Sequence, residues 1–153
     1  MLFGDFNIIE NDSISIVIHG GCFEKNSSEV LNIIVNYRKI FKESEIIFSI
    51  SSSDFIDFQR SSENELITYK KNMTNFCRAI SECVDKIAYS YMAQPLPPIF
   101  RDGPNSHPNH LIEAVQNGLA LATREFVLRV RNDLLFKNKS FIKEYLNLEK
   151  KLL

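Results

Sequence analysis

The chain has 153 residues, of which 44% are hydrophobic and 24% charged, which fits one globular domain with a real core and excludes a disordered chain. Eighteen basic and 19 acidic side chains leave a formal net charge of -1, so no global field draws the protein to nucleic acid or to an anionic membrane. Three cysteines, Cys22, Cys77 and Cys83, form no CxxC pair and read as free thiols of a reducing compartment rather than as a disulfide framework or a zinc site.

The N-terminal stretch MLFGDFNIIENDS lacks the basic start and long apolar run of a signal peptide, and no segment approaches the length of a membrane span. The expectation is a cytoplasmic protein with no transmembrane segment, at most peripheral on the cytosolic face of a membrane.

In chain order, 13–19 is the first expected strand, with Ile14, Ile16 and Ile18 on one face and an abrupt end at Gly20-Gly21. Asn26 and Glu29 have the spacing of a capping box, and Val30, Ile33, Ile34, Tyr37, Ile40 and Phe41 then recur at helical spacing. A second strand, 45–51, stops in the serine-rich turn Ser51-Ser52-Ser53-Asp54. Ser62 and Glu65 make a second capping box, opening a long helix through Leu66, Tyr69, Met73, Phe76, Ile80 and Cys83, with a break expected near Asn72-Met73-Thr74. A short strand follows at 86–91.

The prolines gather in 93–109, a composition that forbids helix and central strand and predicts an ordered, exposed loop. Loops of that length inside a compact domain tend to be functional. A helix restarts near Pro108, carrying Leu111, Ile112, Val115, Leu119 and Ala122 on one face. Residues 125–131 form the last strand, with Phe126, Leu128 and Val130 on one side and Arg129 and Arg131 on the other, read as buried and ended by Asn132-Asp133. An amphipathic helix is expected over 140–152. Alternation of this kind predicts an α/β fold, a Rossmann-like, mostly parallel sheet with helices on both faces.

In open parallel sheets ligands bind beyond the carboxyl ends of the strands, where strand order reverses. The candidate residues are therefore His19, Gly20 and Gly21, then Ser51 to Asp54, the stretch after Tyr91, and Arg131 to Asp133. Gly20-Gly21 allows close approach of backbone amides to phosphate oxygens, or serves only as a tight turn. Asp54 can accept from a ribose hydroxyl or a base N–H, or make a local Asx turn. Asp133 can hold a divalent cation bridging a diphosphate while Arg131 neutralises leaving-group charge; by residue types alone a simple Arg–Asp ion pair is an equally good reading. His19 and His107 can act as base or ligand, although a lone histidine is more often structural. The chain has no GxGxxG, P-loop, G-x-S-x-G elbow or HExxH motif.

The segments ISIVIHGG, NYRKIF, EIIFSISSSD and NGLALATREFVLRVRNDLLF together resemble the WavE family of lipopolysaccharide-synthesis glycosyltransferases. Residues 126–133, FVLRVRND, are the most specific match, against Tyr-Val-Leu-Lys-x-Arg-x-Asp in the family. The resemblance implies a GT-A-like, nucleotide-sugar-binding fold over 1–153, without the acceptor-binding part that such enzymes carry towards the C-terminus. It implies a nucleotide-diphospho-sugar donor and a glycan or lipid-linked glycan acceptor. Arg131-Asn132-Asp133 stands in the place of a metal-binding Asp-x-Asp, only the second acid being present, so Asp133 is the candidate ligand for Mn or Mg. The family's Asn-Arg-Gln helix start is matched only at Asn109, His110 and Leu111 replacing the rest. Arg131, Asp133 and His107 are thus the expected catalytic residues. Donor contacts are expected at His19, Gly20, Gly21, Ser51, Asp54 and Asn109. A catalytically inactive domain of this kind, binding a protein or nucleotide, is the alternative.

Overall fold

A computed structural model describes residues 13–20, 27–51, 62–90, 108–142 and 144. Among these residues four strands and three helices alternate: β1 (Ile14–Gly20), α1 (Ser27–Ile40), β2 (Glu45–Ser51), α2 (Glu63–Ile80), β3 (Lys86–Ser90), α3 (Pro108–Ala120) and β4 (Phe126–Arg131). All pairings are parallel and the order across the sheet is β3-β2-β1-β4. The chain steps from β1 to β2 to β3 in one direction, and α3 then carries it back to the other side of β1. Strand order therefore reverses between β1 and β4.

The apolar residues of each strand decide which helices cover it. Side chains alternate along a strand, so Ile14, Ile16 and Ile18 share one face with Ile46, Phe48, Ile50 and Val130. Onto that face α1 brings Val30, Ile34 and Tyr37 with Phe41 just beyond it, and α2 brings Met73, Phe76 and Ile80. Phe48 and Phe76 meet with ring centroids 5.8 Å apart. The opposite face, with Ser15, Val17, His19 and Ser49, takes α3. Gly118 makes that contact possible: a Cβ there would lie 2.5 Å from Val17 Cγ1 and 3.1 Å from Ser49 Cβ. Ser49 Oγ donates to Ala114 O at 2.6 Å, fixing the helix on the sheet.

The amino ends of the strands are tied by the buried Glu45. It accepts from Ser15 Oγ at 2.5 Å, Lys86 Nζ at 2.6 Å, and both Thr123 N and Thr123 Oγ1 at 2.9 Å. Lys86 also donates to Leu121 O at 2.8 Å, so three strands and the end of α3 share one network. Burial alone would raise the Glu45 pKa, but Lys86, Ser15 and Thr123 outweigh it and hold it at about 2. Arg38 makes a second tie, to Asp85 at 2.7 Å and to Cys83 O and Ser44 O at 3.0 Å.

Two local expectations need correction. No break interrupts α2 near Asn72-Met73-Thr74, because Met73 belongs to the buried stripe and Thr74 Oγ1 donates back to Lys70 O at 2.8 Å. Nor is 126–131 a buried strand: only Val130 is buried, and Phe126, Val127, Arg129 and Arg131 are exposed. Among the described residues β4 pairs only with β1, so it stands at an edge of the sheet. The capping box at Ser62 forms as its spacing predicts. The one expected at Asn26 lies outside the described residues, as do loop residues 93–107 and most of the last expected helix.

Candidate functional site at the beta1 and beta4 ends

Strand pairing brings His19 beside Arg131 and Val17 beside Arg129, so the histidine and both arginines lie on one face of the sheet. Pairing continues one residue beyond β4, where Asn132 N donates to His19 O at 2.9 Å. The carboxyl ends of β1 and β4 are thus joined at the point of strand reversal, as the placement of ligand sites in such folds requires.

Gly20 and Asn132 form the closest part of this junction. Gly20 has φ +150°, a conformation that favours glycine, and a Cβ on it would come 2.6 Å from Asn132 Cγ. Asn132 is itself buried. Glycine is needed at position 20 both for the backbone path and for the space that Asn132 occupies.

Arg131 and Asp133 make a two-pronged pair, Nε to Oδ1 at 3.0 Å and Nη2 to Oδ2 at 2.5 Å. The guanidinium holds the Asp133 carboxyl below its usual pKa, and the carboxylate raises that of Arg131. Their side chains are 70% and 59% exposed, so solvent screens the pair and it adds little to stability. The guanidinium can therefore exchange this partner for an anionic ligand. Behind Asp133 the chain is held by Tyr37, whose buried hydroxyl donates to Leu134 O at 3.0 Å.

His19 differs from its neighbours. The residue is 1% exposed, yet neither Nδ1 nor Nε2 has a hydrogen-bond partner among the described residues. Burial lowers its pKa, the charges of Arg129 and Arg131 lower it further, and Asp133 offsets only part of this. The balance favours the neutral imidazole.

Of the expected site residues, the fold brings together His19, Gly20, Arg131 and Asp133. Gly21, Asp54 and His107 lie outside the described residues. Ser51 closes β2 and Asn109 lies in the first turn of α3, but neither side chain is among those described. Asn132 stood within the candidate stretch Arg131 to Asp133 but with no role of its own, and Arg129 was not among the expected site residues. The alternation of 126–131, which already put Arg129 on the side of Arg131, was the available signal for the second; nothing local marks Asn132 as the neighbour of Gly20.

Among the described residues no cluster of three His, Cys, Asp or Glu side chains is placed to hold a metal ion. Among the described residues Asp133 has no second acid beside it, and both its oxygens accept from Arg131. These residues alone do not fit a divalent cation. Among the described residues, no helix is long and apolar enough to cross a membrane. Comparison with known proteins finds no matching family model, curated protein or solved structure.

Proposed function

We propose that the chain is the donor-binding part of a glycosyltransferase, taking a nucleotide-diphospho-sugar and passing the sugar to a lipopolysaccharide or other surface-glycan acceptor. The observation that carries this reading is the meeting of His19, Gly20, Arg131, Asn132 and Asp133 where strand order reverses. It adds to the resemblance of 126–133, which ends at the same point.

In the reaction an acceptor hydroxyl forms a bond to the anomeric carbon, and the bond from that carbon to the diphosphate oxygen breaks. The electron pair leaves on the diphosphate. Arg131 turns from Asp133 to the departing oxygens, and Arg129 adds a second cation on the same face. Asp133 orients the guanidinium before the donor arrives. Gly20 makes room for Asn132 at the junction, Gly21 lets the donor approach the backbone, and Ser51, Asp54 and Asn109 contribute its remaining polar contacts. His107 takes the acceptor proton. The work takes place in the cytoplasm, where nucleotide sugars are made, or at the cytosolic membrane face.

A second reading is an inactive relative that binds a partner protein without turnover; Asp133, already engaged by Arg131 and with no second acid beside it among the described residues, favours it. Thermal shift with UDP, GDP, CMP and ADP sugars, with and without Mn²⁺, separates the two. Stabilisation by one of these sugars supports the transferase, and any Mn²⁺-dependent part reports a cation that arrives with the donor. No shift with any of them supports the binding module.

A further inference from the structure

A neutral imidazole carries one donor and one acceptor, and burying both unmatched destabilises a fold. Among the described residues His19 is in that position, at the end of β1, where both neighbouring strands otherwise pair normally. An unmatched buried polar group in a native protein calls for an explanation, such as a water, an ion or a functional role that meets it. Beside it, on the same face, stand two exposed cations, Arg129 and Arg131, on an edge strand. Helix α3 packs across β1, β2 and β3, and the arginines lie to the side of it.

We propose that His19 is kept unsatisfied in the free protein so that it can hydrogen-bond the hydroxyls of a phosphorylated sugar whose phosphate is held by Arg129 and Arg131. A phosphate by itself offers mainly acceptors, whereas a hydroxyl both donates and accepts, which matches what the ring lacks. Burial and the two arginines keep the ring uncharged, so it reads the uncharged part of the ligand. His19 and Arg131 are partners on adjacent strands about 4.8 Å apart, a spacing that suits a phosphate and a hydroxyl of one small unit such as a pentose phosphate. The inference deepens the donor-binding reading and rests on it for the kind of anion. His19 is a specificity residue in this account, and no proton transfer is assigned to it.

The test uses the full chain and the variants His19→Leu and His19→Asn, with ribose 5-phosphate, UDP-glucose and inorganic pyrophosphate as calorimetric probes. Removing unmatched polar atoms should stabilise the ligand-free protein, so His19→Leu is expected to melt about 3 °C higher than the parent. Its affinity for ribose 5-phosphate should fall about tenfold, while pyrophosphate binding stays within about twofold; His19→Asn should lose less. A lower melting temperature in both variants, or failure of His19→Leu to fold together with a less stable His19→Asn, would show that another part of this chain satisfies the ring and would overturn the proposal. So would a parent that does not bind ribose 5-phosphate, or a His19→Leu variant that binds it unchanged. A parent that binds ribose 5-phosphate but none of the UDP, GDP, CMP and ADP sugars removes the glycosyltransferase reading and leaves this one standing.

Discussion

Asn132 fills the space that a side chain on Gly20 would need, its Cγ 2.6 Å from the position of the absent Cβ, and these two residues are 112 apart in the chain. Their contact closes the junction between β1 and β4, beside His19, Arg131 and Asp133.

Gly20→Ala should therefore be costly for two reasons, a backbone at φ +150° and displacement of Asn132. A loss of about 2 kcal/mol in urea denaturation is expected. Donor-induced thermal stabilisation should also fall. An alanine variant as stable as the parent would mean that the junction is looser than its geometry implies.

Arg131→Gln and Asp133→Asn should separate binding from folding. The pair is solvent-exposed, so each variant should melt within about 1 °C of the parent. Arg131→Gln should weaken nucleotide-sugar binding about tenfold or more and flatten its salt dependence. Asp133→Asn leaves the guanidinium without its anionic partner, so the loss should be smaller. Equal losses from both would indicate that the carboxylate itself contacts ligand.

The Glu45 network gives a pH-dependent contribution to stability. Its folded pKa of about 2 lies below the ordinary value of 4.5, so the stabilisation is fully present above about pH 4.5 and is lost as pH falls towards 2. The amount is about 3 kcal/mol at most. Urea midpoints measured from pH 6 to pH 2 should show that loss, and Glu45→Gln should reduce it. At pH 7, Glu45→Ala should cost about 3 kcal/mol, since Lys86, Ser15 and Thr123 all lose their acceptor.

Gly118 sets helix propensity against packing. In an exposed helix, alanine in place of glycine gains about 1 kcal/mol. Here the new methyl would press on the stiff, buried Val17 and on Ser49. Gly118→Ala is expected to lose about 1–3 kcal/mol, because α3 must lift from the sheet or its neighbours must shift. Calorimetric unfolding decides the sign.

The sites of these substitutions were not equally visible in the sequence. The Ile14, Ile16 and Ile18 alternation, the capping box at Ser62 and the helical stripe through Tyr37 each lie within a few residues, and each forms as its spacing predicts. Local side-chain interactions decide such features. A polar residue in the middle of α2 misled because the helix can satisfy Thr74 internally, through Lys70 O, which composition does not reveal. Likewise, the alternation of 126–131 revealed a strand but not that it stands at an edge, since exposure depends on what pairs beside it.

By itself the sequence determined the kind and order of the elements, and hence a parallel α/β sheet, because helix and strand periods are written in neighbouring residues. Only the tertiary structure decided that β4 lies against β1, and with it the contacts of Asn132 with Gly20, of Arg131 with the His19 strand and of Glu45 with Lys86 and Thr123. Those partners come from distant parts of the chain, and their meeting follows from which strand edges pair, a choice made by the whole core together.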